Sequence, residues 1–284
     1  MLKLVILIIY FAVLIGIGLY CRKHATDVNG FVLGGRSVGP WLTAFAYGTS
    51  YFSAVVFVGY AGQFGWKYGI AATWAGIGNA IIGSLLAWVV LGRRTRIMSQ
   101  HLDSATMPQY FGKRFGSNPL KIGASVIIFI FLIPYTASLY NGLSRLFGMA
   151  FNIDYSVCII IMATLTAIYV IAGGYMATAI NDFIQGIIML FGIIAVIAAV
   201  IHSKGGFMSA LQGLANVSDP VVSDTPGIFA SFFGPDPFNL LCVVILTSLG
   251  TWGLPQMVQK FYAIDNEASI QKGTVISTIF ALIV

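Results

Sequence analysis

The stretch that decides the fold is WLTAFAYGTSYFSAVVFVGYAG, residues 41–62, an apolar run interrupted by small and hydroxyl-bearing residues. A run of about 20 apolar residues is long enough to cross the hydrocarbon core of a membrane. The interruption at residues 48–53 predicts a membrane helix that breaks near its middle, where freed backbone groups need protein, water or a bound ligand as partners. Such a break is typical of an ion or substrate site. Close packing of a neighbouring helix against the small residues is the alternative.

The composition places the chain in a membrane. Of its 284 residues, 58% are hydrophobic and 8% are charged, and the mean hydropathy is +0.90. An ordinary soluble domain carries about 25% charged residues. We therefore predict an all-α integral membrane protein, because a helix satisfies its own backbone hydrogen bonds inside a bilayer. Residues 1–284 are expected to form a single transmembrane domain.

Apolar runs long enough to cross a membrane predict seven spans along the chain. They lie at about 3–21, 40–64, 70–92, 121–149, 155–175, 181–202 and 238–260. A further apolar run begins near residue 273 and continues to residue 284, which predicts the start of an eighth span. Because the sequence stops inside this run, we expect the chain to be a fragment of a longer protein.

The positions of the lysines and arginines predict the orientation of the spans. With the amino terminus outside, 11 of the 15 fall on the inner side and four on the outer side. The inner ones are Arg22, Lys23, Arg36, Arg93, Arg94, Arg96, Lys113, Arg114, Lys121, Lys260 and Lys272. The outer ones are Lys3, Lys67, Arg145 and Lys204. Since basic residues favour the cytoplasmic side, we predict a multi-pass protein of the plasma membrane with its amino terminus outside.

Several classes of function are disfavoured by the sequence. The net charge of +6 does not indicate nucleic-acid binding, because the cations lie between hydrophobic runs and not on one basic face. The three histidines and three cysteines have no spacing typical of a metal site, so we expect no cofactor. The sequence contains no filter motif of the TVGYG kind, so it does not indicate a channel. The sequence shows no cluster of a nucleophile, a base and an orienting group, so an enzyme is disfavoured.

Asp182 is the one acid that the pattern places within a predicted span. It shares a helix face with Thr178, Asn181 and Gln185, since these residues are spaced three and four apart. An aspartate inside a membrane is costly and usually faces a cavity or a partner, which predicts a role on a cation pathway. The alternative is a structural cap at a helix start that reaches interfacial water.

The fourth span contains FLIPYTASLYNGLSRLF, which has a proline in its interior. Pro134 lacks an amide donor and tends to kink a helix. Tyr135, Ser138 and Gly142 follow at spacings that place them on one face. We predict that Tyr135 faces the cavity. The alternative is packing of small residues with the tyrosine at an interface.

The seventh span contains LTSLGTWGLPQMVQKF, in which Gly250, Gly253 and Pro255 flank Thr251 and Trp252. Glycine and proline at these positions predict a second broken helix that faces the break in the second span. A kink that only aids packing is the alternative.

Four segments carry a resemblance to a known family. They are FVLGGRSVGPWLTAF at residues 31–45, TMPQYFGKRF at 106–115, IYVIAGGYMATAINDFIQG at 168–186 and GLPQMVQKF at 253–261. In this order and spacing, the chain resembles the sodium:solute symporter family, which includes the bacterial sodium/proline and sodium/pantothenate symporters. Tyr175 departs from the family, which usually has Leu, Met or Phe after the paired glycines.

The resemblance implies a LeuT-like fold with five-plus-five inverted repeats. The chain would hold the first span, repeat one and the opening of repeat two. The second and seventh spans would be the first broken helices of the two repeats. The resemblance also implies that hydroxyl residues beyond Val284 complete the sodium site.

The same resemblance implies a set of binding residues. The backbone carbonyl groups of Thr49 and Phe52 would hold a sodium ion, since unwound backbone supplies oxygen ligands without an added charge. Ser50, Tyr51 and Ser53 occupy neighbouring site positions and would face the substrate. Proline carriers have an aspartate tied to sodium use at the position of Tyr51. The tyrosine therefore argues against proline specificity or against that mode of sodium handling.

Residues on other spans complete the implied site. Asp182 matches an aspartate on the family's inner sodium route. Tyr135 matches a substrate-side tyrosine of the proline carriers. Thr251, Trp252 and Pro255 fall in the family's substrate region of the seventh span.

The resemblance therefore implies a sodium-coupled secondary active symporter that works by alternating access. It would take up a small polar organic solute, either a proline-like amino acid or a pantothenate-like carboxylate, with sodium as the coupling ion. Its partners would be that solute, sodium and the lipid bilayer. The alternative is a receptor or sensor with a transporter fold that binds the solute without accumulating it.

Overall fold

The computed structural model describes residues 2–53 and 60–284, and the regular secondary structure in these ranges is helical. Two isolated β-bridges are the remaining backbone pairings of strand type there. The prediction of an all-α protein is therefore confirmed for the described part of the chain. The predicted span at 40–64 includes residues 54–59, which lie outside that part.

The first part of the chain folds into three helices that precede the break. They are α1 Leu2–Cys21, α2 Val28–Leu33 and α3 Pro40–Tyr51. Asp27 caps α2, because its carboxylate accepts a hydrogen bond of 3.1 Å from the amide of Gly30. Pro40 begins α3. Proline is tolerated there because an amide group at the first helical position has no acceptor within the helix.

The next stretch contains one helix before a sharp turn at Gly69 and several α-helical and π-helical segments after it. It contains α4 Ala61–Tyr68, α5 Thr73–Gly78, π-helical segments at Asn79–Leu86 and Trp88–Gly92, and α6 Arg93–His101. Gly69 has φ 60° and ψ −139°, and a Cβ atom there would collide with the carbonyl group of Phe229. The predicted span at 70–92 begins directly after this turn and ends with the π-helical segments.

Two helices follow that pack against each other, α7 Met107–Phe115 and α8 Asn118–Phe151. A side-chain cap begins each of them, since the hydroxyl groups of Thr106 and Ser117 accept hydrogen bonds from backbone amides of the first turn. Pro134 lies inside α8, and the helix continues through it.

α9, Tyr155–Ser203, is a helical stretch with a sharp turn at Gly174. Gly174 has φ 56° and ψ −149°, a conformation that favours glycine. A Cβ atom at this position would lie 2.7 Å from the carbonyl oxygen of Phe31. The predicted spans at 155–175 and 181–202 therefore meet at a turn of the backbone and not at a loop.

The last part of the chain contains the second broken helix. Its helices are α10 Phe207–Ala215, α11 Pro237–Gly250, α12 Pro255–Ala263 and α13 Glu267–Ile283. α11 with the short turn that follows it, Pro237–Gly253, is bent by 52° relative to α12. The break predicted in the seventh span is therefore confirmed.

Several helices have the length and composition of membrane spans. In the described ranges, three stretches meet both criteria: Ala61–His101, Asn118–Phe151 and Tyr155–Ser203. The bent pair of α11 and α12 makes a fourth if the two helices form one span. Large apolar side chains are exposed along α8 and α9, as they are in proteins whose surface faces lipid. These features support a membrane protein.

Two arginines connect α12 to the start of α3 and to α6 through backbone carbonyl groups. Arg36 donates hydrogen bonds to the carbonyl groups of Ser104 and Tyr262 at 2.8 and 3.4 Å. Arg96 donates a hydrogen bond of 2.6 Å to the carbonyl group of Ile264. Arg96, which the orientation argument counted on the inner side, lies inside α6 and is buried. Partial burial lowers the pKa of Arg36, although a guanidinium group stays charged.

Candidate functional site

The first broken helix ends where the sequence predicts its interruption. α3 ends at Tyr51, and the amide of Phe52 closes the last turn with a hydrogen bond of 2.9 Å to the carbonyl group of Gly48. Phe52 then leaves helical geometry, with φ −90° and ψ 61°. Thr49 lies in this last turn, where helical carbonyl groups lack helical amide donors and carry partial negative charge. The end of α3 is therefore suited to a cation.

α12, the second half of the second broken helix, begins at the break, whereas α3 ends at the first break. Leu254 is extended, with φ −68° and ψ 127°, and Pro255 begins α12. The amino-terminal end of a helix carries partial positive charge, which suits an anionic group. Leu254 and Trp252 pack against the hydrophobic cluster that contains Tyr51 and Phe52. Residues at both breaks therefore border one hydrophobic cluster.

Tyr51 connects three elements at this place. It is buried, and its hydroxyl group donates a hydrogen bond of 2.6 Å to Oδ1 of Asn79 in the first π-helical segment. The same hydroxyl oxygen lies 3.1 Å from the carbonyl oxygen of Thr247 on α11. Ser248 donates a hydrogen bond of 3.2 Å to Oδ1 of Asn79. These residues form an uncharged polar cluster between the two broken helices.

The π-helical segment supplies further acceptors to the cluster. Tyr47 donates a hydrogen bond of 2.9 Å to the carbonyl group of Gly83. Trp252 donates a hydrogen bond of 3.0 Å from Nε1 to the carbonyl group of Ile82. π-helical turns are often found at functional sites. Here the segment binds side chains from both broken helices.

The other predicted substrate-facing residues near the breaks are half-buried. Thr251 donates a hydrogen bond of 3.1 Å to the carbonyl group of Ser248, so its hydroxyl lies beside the cluster. Ser50 and Ser53 flank Tyr51 in the chain. Their roles in binding stay predictions.

Tyr135 lies on a different part of the molecule. It is half-buried on α8, which packs against α7 and α9. Its carbonyl group accepts a hydrogen bond of 2.7 Å from Ser138. Within the described residues, no hydrogen bond connects the Tyr135 side chain to the cluster around Tyr51, and its substrate role stays a prediction.

Asp182 forms an ion pair with a residue of the second broken helix. Oδ2 of Asp182 lies 3.5 Å from Nζ of Lys260, and the two side chains are 23% and 8% exposed. The ammonium group of Lys260 also lies 5.2 Å from the centre of the Tyr175 ring. The orientation argument counted Lys260 as an inner loop cation. That assignment is wrong, because Lys260 lies inside α12 and is buried.

Asp182 is also close to the end of the first broken helix. Gly186 follows it by one turn on α9, which is a rise of about 6 Å. A Cβ atom at Gly186 would lie 3.1 Å from the methyl carbon of Thr49. The predicted sodium residue Thr49 and the predicted pathway residue Asp182 therefore lie on adjacent turns of packed helices.

Comparison with known proteins identifies the family of this chain. A sequence model of the sodium:solute symporter family matches residues 31–284. The chain belongs to the sodium:solute symporter family. The matched region includes α3, Asp182 and α12.

Named relatives of this symporter-family chain include proline carriers. The osmoregulated proline transporter OpuE of Bacillus subtilis (strain 168) is 31% identical over 262 residues, which are 91% of this chain and 51% of that protein. The sodium/proline symporter of Staphylococcus aureus (strain JH9) is 30% identical over 282 residues, 94% of this chain and 51% of that protein. The chain spans about half the length of these relatives.

Sequence reasoning missed several residues of this candidate site. Asn79 and Ser248 were not singled out, although each is a polar residue inside an apolar run. Lys260 was assigned to a loop because it lies at the end of an apolar run. Lys260 lies four residues after Gln256 on a helix that starts at a predicted break, so the two side chains share one face of that helix. This spacing is the signal that indicates a cation facing the protein interior.

Proposed function

We propose that the protein is a sodium-coupled secondary active symporter that takes up a small polar organic solute by alternating access. The observation that carries the proposal is that the carboxyl end of α3 and the amino end of α12 border one hydrophobic cluster. Family membership and the names of the relatives support transport and not an enzymatic reaction. No observation favours the alternative of a receptor.

The helix ends favour a solute that carries both charges. The end of α3 suits sodium and an ammonium group, and the start of α12 suits a carboxylate. The described side chains between them, those of Tyr51, Asn79, Ser248, Thr251 and Trp252, carry no charge. A zwitterion would be neutralised by the two helix ends. We therefore favour a proline-like amino acid over a pantothenate-like carboxylate.

The predicted residues receive roles in this proposal. Carbonyl groups of Thr49 and Phe52 bind sodium, and Asp182 assists its release to the inner side. The residues proposed to face the solute are Ser50, Tyr51, Ser53, Tyr135, Thr251, Trp252 and Pro255. We propose that this chain supplies the first span, repeat one and the opening of repeat two of a LeuT-like five-plus-five fold, and that the rest of the sodium site belongs to the remainder of repeat two. The amino terminus is proposed to lie outside the plasma membrane.

Uptake by proteoliposomes that contain the full-length protein, of which we propose this chain to be a part, tests the proposal. We expect labelled L-proline to accumulate with an inward sodium gradient and not when choline replaces sodium. Asp182→Asn removes the charge on the inner route and should lower the uptake rate about tenfold or more, since one lost interaction of about 1.4 kcal/mol has that effect. Asp224→Asn, the same change in an exposed loop, should keep the wild-type rate.

Two results would count against the proposal. Wild-type uptake that is the same in sodium and in choline would exclude coupling to sodium. Solute binding without accumulation would favour the receptor alternative.

A further inference from the structure

An open pocket lies where α8 meets the start of α9, and the roles proposed above do not use it. Its volume is about 610 Å³, and its lining includes Asn141, Ser144, Arg145, Gly148 and Tyr155. The first four of these are spaced three and four apart, so they share one face of α8. Tyr155 is the first residue of α9. One helix face and the start of the next helix therefore form the pocket.

Asn141 holds the two other polar groups of this pocket in place. Its Oδ1 atom accepts a hydrogen bond of 2.9 Å from Nε of Arg145 and one of 3.0 Å from the hydroxyl group of Tyr155. With that oxygen bound to two donors, the amide nitrogen of Asn141 and the two terminal nitrogens of Arg145 remain as further donors. The pocket therefore offers N–H groups to a ligand.

The positive charge of Arg145 has no acidic partner in the described part of the chain. No ion pair among the described residues includes Arg145. Asp154, the nearest acid in sequence, accepts a hydrogen bond of 2.9 Å from the amide of Ser156 at the start of α9. The net charge offered by the pocket is therefore positive.

Ser144 adds a buried hydroxyl group without a partner. Its side chain is 0% exposed, and among the described residues its Oγ atom has no hydrogen-bond partner. Buried polar groups are almost always hydrogen-bonded, so this exception needs an explanation. An oxyanion in the pocket would supply an acceptor for the hydroxyl group and a counter-charge for Arg145. The pocket thus has the chemistry of an oxyanion site.

The position of the pocket along α8 indicates which oxyanion it meets. Arg145 follows Lys121 by 24 residues on α8, which is a rise of about 36 Å. The hydrocarbon core of a bilayer is about 30 Å thick, so these two cations reach opposite headgroup layers. Between them, α8 exposes large apolar side chains such as Phe129 and Phe131. Beside the pocket, Met149 is 78% exposed and offers an apolar surface to an acyl chain.

We propose that this pocket binds the phosphate group of an anionic phospholipid from the leaflet that Arg145 faces. The guanidinium group of Arg145 binds two phosphate oxygens, a geometry that suits its planar pair of donors. Ser144 and the amide nitrogen of Asn141 donate further hydrogen bonds, and an acyl chain packs on Met149. The inference goes beyond the proposed symport and does not depend on sodium coupling.

Thermal unfolding of the purified full-length protein in an uncharged detergent tests the inference. Added dioleoylphosphatidylglycerol should raise the unfolding midpoint, because a ligand that binds the folded state stabilises it. Dioleoylglycerol has the same acyl chains without the phosphate, and inorganic phosphate has no acyl chains, so each should raise the midpoint much less. An equal effect of dioleoylglycerol would contradict recognition of the phosphate. An equal effect of inorganic phosphate would contradict a lipid as the ligand.

Replacing Arg145 tests whether the lipid binds at this pocket. Arg145→Gln should raise the concentration of dioleoylphosphatidylglycerol needed for half of the effect about tenfold, which corresponds to about 1.4 kcal/mol. Arg114→Gln, the same change at an exposed position of α7, should respond to the lipid as the wild type does. An Arg145→Gln protein with the wild-type lipid response would overturn the inference.

Ser144→Ala keeps the inference testable if Arg145→Gln does not fold. This change removes a buried group that has no partner among the described residues, so the lipid-free protein should be at least as stable as the wild type. Binding of dioleoylphosphatidylglycerol should weaken about threefold, since one hydrogen bond to the phosphate is lost. A Ser144→Ala protein that binds the lipid as tightly as the wild type would contradict the role of the hydroxyl group.

Discussion

Tyr51 is a polar residue whose partners come from two distant parts of the chain. Its hydroxyl group lies 2.6 Å from Oδ1 of Asn79 and 3.1 Å from the carbonyl oxygen of Thr247. A neutral hydrogen bond stabilises a folded protein by about 0.5–1.5 kcal/mol. The tyrosine therefore contributes to holding the end of α3 against α11, in addition to its proposed place near the solute.

Removing this hydroxyl group should weaken the fold measurably. We expect Tyr51→Phe to lower the free energy of unfolding by about 1 kcal/mol, because the lost hydrogen bond is buried. Tyr60→Phe makes the same change at an exposed ring that stacks on Phe64, and it should have little effect. Thermal unfolding of the two variants compares them directly. Equal midpoints would show that the Tyr51 hydroxyl adds nothing to stability.

At the residue scale, the sequence identified functional candidates but not their partners. Asp182 was singled out because an acid in an apolar run is unusual, and this needs no knowledge of the fold. Its partner Lys260 comes from the second broken helix, and only the ion pair in the folded chain identifies it. Asn79 was missed for the same reason, since only the folded chain shows that it accepts a hydrogen bond from Tyr51.

The contact between α3 and the π-helical segment depends on a glycine. A Cβ atom at Gly83 would overlap the hydroxyl oxygen of Tyr51. The carbonyl group of Gly83 accepts a hydrogen bond from Tyr47, one turn earlier on α3. One glycine therefore allows two tyrosines of the first broken helix to approach the segment that also binds Trp252.

Filling this space should separate the two elements. We expect Gly83→Ala to destabilise the protein by about 1–3 kcal/mol, since an added methyl group in a packed region forces its neighbours to move. Gly76→Ala is the matched control, because a Cβ atom there meets nothing within 4 Å and alanine favours a helix. Thermal unfolding distinguishes them. A Gly83→Ala protein as stable as the Gly76→Ala protein would contradict the close approach.

At the element scale, the sequence predicts where a helix breaks but not how the chain continues from that point. Residues 48–53 and Pro255 interrupt apolar runs locally, so the two broken helices follow from glycine, hydroxyl and proline chemistry. The turn at Gly174 was not predicted as a direct junction of two spans, because paired glycines alone do not show how closely Phe31 approaches. A kink was predicted at Pro134, and α8 continues through this proline.

At the scale of the whole molecule, hydrogen bonds join the start of α3 to the end of α12. The amide of Val38, just before α3, donates a hydrogen bond of 3.2 Å to the carbonyl group of Ala263 at the end of α12. Arg36 and Arg96 bind carbonyl groups in the same region. Alternating access, as we propose it, requires these contacts to open when solute and sodium leave to the inner side.

Coupled entry of sodium and solute tests the central claim most directly. The full-length protein in proteoliposomes is given radiolabelled sodium at equal concentration on both sides, with an inward gradient of L-proline, of pantothenate or of neither. Our account predicts that L-proline drives net sodium entry and that Asp182→Asn strongly lowers this entry. Sodium entry that is the same with and without both solutes would contradict the account.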